Sequence, residues 1–95
     1  MLITGLVRTN DVLRKHPDVR TSLDRWIDIV EPAEWQNIID ARRVFPTADL
    51  IKGTGLTCFN LGGNKYRLMT IVSYVTQEIA VVELLTHSEY DRKYA

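Results

Sequence analysis

Two apolar runs meet at Gly62-Gly63-Asn64, and that junction limits what this chain can fold into. Glycine and asparagine tolerate the positive φ of a tight hairpin, so the flanking runs are predicted to be antiparallel neighbours. Leu56–Leu61 leads into the turn and Lys65–Val75 leaves it. In the second run Tyr66, Leu68, Thr70, Val72 and Tyr74 fall on one face, and Lys65, Arg67, Met69, Ile71 and Ser73 on the other. Thr76-Gln77 can turn again, and Glu78–Leu85, rich in β-branched residues, reads as a third strand. Three strands with short connections predict an antiparallel meander.

The first half has a different period. Met1–Thr4 is short and apolar ahead of Gly5, a predicted first strand. Leu6, Val7, Val12 and Leu13 approximate a helix from Leu6 to His16, ended by Pro17. His16 at that terminus is expected to face the last carbonyls and the helix dipole rather than to do chemistry. Leu23, Trp26, Ile27 and Val30 form an amphipathic stripe behind a cap at Asp18 or Thr21. Pro32 interrupts it, and Ala33–Ala41 is predicted as another helical piece with Trp35, Ile38 and Ile39 inward. Arg42 and Arg43 at its end suit the dipole, with phosphate or a partner protein as the functional reading. Val44-Phe45-Pro46 leaves the helix and Thr47–Thr54 reads as a loop. The whole, residues 1–95, is expected to be one α+β domain: a short N-terminal strand, two to three helices, then a meander with helices packed on one face.

Composition narrows the function classes. At 45% hydrophobic and 25% charged residues, the chain is an ordinary globule, and it has no stretch long enough for a membrane helix. The N-terminus lacks the pattern of a secretory leader, so a cytoplasmic protein is expected. The lone Cys58 and two widely separated histidines offer no metal-ligand spacing; no metal and no cofactor are expected. Gly62-Gly63-Asn64 also lacks the strand-to-helix context of a phosphate loop. Formal net charge is zero, yet residues 51–77 contain Lys52, Lys65 and Arg67 and no acid. A local positive face for nucleic acid is therefore expected on a neutral protein.

Four side chains could carry out metal-free RNA cleavage, in which a 2′-hydroxyl attacks the adjacent phosphorus and the 5′-oxygen leaves. Arg67 stays charged and binds phosphate bidentately, and Lys65 adds a second cation. His87, as a histidine just past the last strand, can take or give a proton. Tyr90, one helical turn on, can stack on a base or donate its hydroxyl.

Phe59-Asn60-x-Gly62-Gly63-Asn64-x-x-Arg67-Leu68, with Thr86-His87-x-Glu89-Tyr90-Asp91 and Val44-Phe45-Pro46, resembles the HigB family of toxins from type II toxin–antitoxin pairs. That family belongs to the wider RelE-like group. The resemblance implies a first strand placed alongside the meander. It also implies an mRNA endonuclease acting in the ribosomal A site, with Lys65, Arg67, His87 and Tyr90 catalytic. Asn64 would join Lys65 and Arg67 in RNA binding, and Asp91 would have an orienting role; Lys52 is an RNA-binding candidate from the acid-free stretch 51–77 rather than from the resemblance. The implied partner is a HigA-type helix-turn-helix antitoxin, with operator DNA met only through the antitoxin complex. Where some relatives carry further cations, this chain has Met69, Ile71 and Val82, a leaner site that fits ribosome-dependent cleavage. ParE-like relatives share the fold but bind DNA gyrase without cleaving RNA, so a non-catalytic binder is the alternative, and an inactive toxin copy a third.

Overall fold

A computed structural model describes residues 1–95 as a five-stranded sheet with helices. The strands are β1 (Leu2–Thr4), β2 (Asp49–Ile51), β3 (Leu56–Leu61), β4 (Tyr66–Ser73) and β5 (Glu78–Thr86). Their order is β1-β5-β4-β3-β2. The meander β2–β5 is antiparallel, and β1 joins its β5 edge in parallel. The helices are α1 (Asn10–Lys15), α2 (Val19–Val30), α3 (Ile38–Val44) and α4 (His87–Tyr94).

The α+β architecture and the hairpin are as expected: Gly62 and Gly63 sit at φ 60° and 68°, and Leu61 pairs with Tyr66. Several local boundaries differ. Leu6–Thr9 is a 3-10 turn rather than the start of a helix. Gly5 enters it at φ 79°, and the Thr9 hydroxyl donates back to the Leu6 carbonyl at 2.7 Å. Ala33–Ala41 is not a continuous helix, because Asn37 restarts the chain by accepting from the N–H groups of Ile39 and Asp40. Trp35 therefore reaches the core from an irregular segment, and Ile39 is exposed. Within the expected loop, Asp49–Ile51 pairs with β3 as an edge strand.

The principal core lies between one sheet face and the helices α1–α3. Leu23, Trp26 and Val30 of α2 pack against Phe59, Leu68, Ile79, Val81 and Leu84. Phe59 is the hub: Trp26 and Phe45 meet its ring edgewise at 5.5 and 5.4 Å, and Trp35 stacks on it at 6.1 Å. A smaller cluster of Cys58, Met69 and Leu85 occupies the opposite face, joined by Tyr90 and Tyr94 of α4. The fourth helix thus follows the sheet and covers part of the face that the first three leave open.

One irregularity sets that arrangement. Met69 pairs with Glu83 and Thr70 with Val81, so Val82 is an extra residue on β5, a β-bulge. Before it the odd-numbered Ile79 and Val81 face the principal core; after it the even-numbered Leu84 does. Leu85 then faces the second cluster.

Candidate functional site

Arg67 is buried, with 8% of its surface exposed, and it forms no ion pair with a carboxylate. Its guanidinium is held by neutral acceptors. Nη1 donates to the Asn64 carbonyl at 2.9 Å and more weakly to the Tyr66 carbonyl at 3.4 Å. Nη2 donates to Asn64 Oδ1 at 3.0 Å and meets His87 Nδ1 at 3.2 Å. The Tyr90 ring lies 5.3 Å from the guanidinium carbon, completing the enclosure with a cation–π contact. A buried cation satisfied by dipoles keeps its full charge for an incoming anion.

The turn and α4 bring these groups together. Asn64 ends the hairpin tip, where both its oxygens face Arg67 and Asn60 also donates to Oδ1. Thr86 starts α4 with a capping box: its hydroxyl accepts from the Glu89 N–H, and the Glu89 carboxylate accepts from the Thr86 N–H at 2.9 Å. That backbone hydrogen bond is the main reason the Glu89 carboxyl lies below its ordinary pKa, with burial opposing and the Thr86 hydroxyl, Arg92 and His16 assisting. The His87 N–H also donates to the Lys65 carbonyl at 2.8 Å, tying the start of α4 to the hairpin.

His87 Nδ1 faces both the guanidinium, which can only donate, and the Asn64 carbonyl at 3.1 Å, which can only accept, so its hydrogen-bond role follows the tautomer, while Nε2 lies 3.0 Å from Asp91 Oδ2. Asp91 is four residues along α4, the spacing that puts two side chains on one helix face. His87 is half-exposed, on the side of the sheet away from α1–α3. Burial is the largest influence on the Tyr90 phenol and raises its pKa, Arg67 pulling the other way, so the hydroxyl remains a donor at neutral pH.

The candidates do not all converge. Arg67, His87, Tyr90 and Asn64 meet around one point, with Asp91 behind His87. Lys65 occupies the exposed last position of the turn rather than the strand, without an ion pair. Lys52 lies in the exposed turn between β2 and β3, at the opposite end of β3, roughly 20 Å of strand from the tip. No group of His, Cys, Asp and Glu is placed to hold a metal ion.

The HigB_toxin family, described as the RelE-like toxic component of a toxin–antitoxin system, matches residues 19–93. The chain belongs to the HigB toxin family. Among relatives of this HigB-family chain, the mRNA interferase toxin HigB of Escherichia coli K12 is 29% identical over 82 residues, covering 85% of this chain and 79% of that protein. The mRNA interferase HigB of Shigella flexneri aligns to the same extent. As the toxic component of such a pair, the HigB-family chain has an antitoxin partner. None of its helices is long and apolar enough to cross a membrane.

Sequence reasoning did not find the enclosure of Arg67 by the oxygens of Asn64. It also missed a second polar group beside the tip, where the Tyr66 hydroxyl donates to Asp18. Nothing local announces a pair 48 residues apart.

Proposed function

We propose that this toxin is an mRNA endoribonuclease, cleaving messages in the ribosomal A site without a metal and neutralised by a HigA-type antitoxin. The observation that carries the reading is the buried Arg67 charge, unpaired with any carboxylate and joined to a half-exposed histidine. Incoming phosphate replaces the neutral acceptors on the guanidinium, which then stabilises the charge developing on phosphorus. Release from Arg67 frees the Nδ1 lone pair of His87 to take the proton of the 2′-hydroxyl, while Asp91 holds the ring through Nε2. The 2′-oxygen bonds to phosphorus, the bond to the 5′-oxygen breaks as that oxygen takes a proton from water, and a 2′,3′-cyclic phosphate and a 5′-hydroxyl form.

Lys65, exposed beside this point, adds positive charge, and Asn64 and Tyr90 contact the neighbouring nucleotide. Lys52 meets RNA farther along the chain. The exposed side chain of His87, away from α1–α3, favours this reading over a ParE-like binder of DNA gyrase. The toxin acts in the cytoplasm, and the antitoxin complex alone contacts operator DNA.

The test is tightly induced expression of wild type, Arg67→Ala and His87→Ala, with growth followed and new 5′ ends on translated messages mapped by primer extension. Wild type is expected to cut within codons, and each variant to lose about 10²-fold or more. Growth arrest with messages intact would replace this reading with the gyrase-binding one.

A further inference from the structure

Arg67 has two flanks on its face of the sheet, and α4 closes only one of them. Its partner on β5 is Leu85, which packs with Tyr90 and Tyr94 of α4. Its partner on β3 is Asn60. Directly paired strand residues share a face, with Cβ atoms about 4.5–5.5 Å apart. The alternation along β3 agrees. Phe59 lies in the principal core and Cys58 in the second cluster, so Asn60 emerges beside Arg67. β2 stops short of this position: it pairs Ile51 with Leu56 and ends at Asp49 opposite Cys58. No strand therefore follows Asn60 on the outer side, and its side chain is half-exposed.

The Asn60 amide is only partly used. Nδ2 donates to Asn64 Oδ1 over 3.4 Å, longer than an ordinary hydrogen bond. Oδ1 has no partner within the protein, so a free acceptor stands beside the guanidinium. Arg67 is buried, and a phosphate that reaches it draws the sugar–phosphate backbone down onto the sheet. At that depth the neighbour of the phosphate is a ribose, while base edges project farther out. The phosphate oxygens and the sugar ring oxygen only accept. The 2′-hydroxyl is the one donor that an RNA backbone carries, and the group that distinguishes it from DNA. A free acceptor next to a phosphate-binding cation matches that hydroxyl.

We propose that Asn60 is a substrate-recognition residue of the cleavage reaction, accepting through Oδ1 from the 2′-hydroxyl of a ribose beside the scissile phosphate, one other than the attacking sugar. This rests on the RNA-cleavage reading above. The contact forms only on RNA, because a deoxyribose has nothing to donate there. It fixes the register of the strand across Arg67 and takes no part in proton transfer. Arg67 reads the charge of the backbone and Asn60 reads its sugar, from paired positions on adjacent strands.

The experiment uses purified toxin and ribosomes programmed with a short message, with kcat/KM measured for wild type, Asn60→Ala and Asn60→Ser. Serine retains a polar side chain too short for the contact. A single 2′-deoxynucleotide is moved along the message, one position at a time. At the attacking sugar it removes the nucleophile and sets the zero of the assay for every protein. At one other position beside the cut, wild type is expected to lose about 3–10-fold, the scale of one hydrogen bond. Both variants are expected to lose a similar factor on the all-ribose message, and nothing further when the deoxynucleotide occupies that position. Circular dichroism and a thermal melt establish that the variants are folded, and the walk on wild type does not depend on them. Losses that multiply at every position, as they would if Asn60 only supported Asn64, would overturn the proposal. So would a wild-type rate indifferent to each deoxynucleotide away from the attacking sugar, or a variant loss that follows the base rather than the sugar. Wild type that leaves the all-ribose message uncut would remove the cleavage reading itself, and this proposal with it.

Discussion

Replacing Arg67 with lysine keeps the charge and removes the fork. In the native site three short contacts hold the guanidinium: Asn64 carbonyl at 2.9 Å, Asn64 Oδ1 at 3.0 Å and His87 Nδ1 at 3.2 Å. An ammonium is a point donor and can satisfy roughly one of these, so two are lost. Hydrogen bonds to a charged group contribute about 1.5–3 kcal/mol each. The turn oxygens and the half-exposed His87 can be rehydrated, which places the loss near the bottom of that range or below it. The expected destabilisation is about 2 kcal/mol. At ~4–5 °C per kcal/mol for a chain of this size, Tm falls by ~8–10 °C. Thermal unfolding of purified Arg67→Lys beside wild type, at neutral pH and equal concentration, measures this directly. Tm within experimental error of wild type would refute the reasoning, since it would mean that the guanidinium network holds nothing together.

Two other perturbations probe elements away from that network. Gly5→Ala places a Cβ 2.4 Å from the Val81 carbonyl oxygen at a backbone φ of 79°, so it should cost more than ~2 kcal/mol; a urea midpoint unchanged from wild type would contradict the close approach of the first connection to β5. Tyr94 has its phenol raised from 10.0 to about 12, chiefly by its 2.6 Å hydrogen bond to Glu83 and secondarily by burial. The folded state holds that proton more tightly than the unfolded one, so the contact contributes fully below pH 10.0 and its contribution is lost as pH rises towards about 12. The latest component of the phenolate absorbance during alkaline titration should disappear in Tyr94→Phe; an unchanged titration in that variant would refute the assignment.

Much of the fold was legible because the signals were local. The double glycine at positive φ marked the hairpin, and the Leu23-Trp26-Ile27-Val30 stripe marked the helix that carries the core. The restart at Asn37 was harder to see, since helical periodicity runs through Trp35, Ile38 and Ile39 while the side-chain cap breaks it. β2 was missed because a three-residue edge strand owes its shape to its pairing partner rather than to its own residues. The same division holds at the candidate site. Asp91 lies one helical turn from His87, and that spacing can be read in sequence. The link from Asp18 to Tyr66 depends on how the turn after α1 meets the start of β4, which no local pattern encodes.

The bulge at Val82 has a consequence beyond β5 itself. Side chains alternate with a period of two, so one supernumerary residue reverses the phase of everything downstream. With strict alternation, Leu85 would share the face of Val81 and follow it into the principal core, and α4 would set out from the helical side. The extra residue sends Leu85 to the opposite face, where Tyr90 and Tyr94 pack and Arg67 waits. The address of the candidate site is thus written as a count of residues: whether His87 meets Arg67 or the helical layer depends on the parity of a single strand.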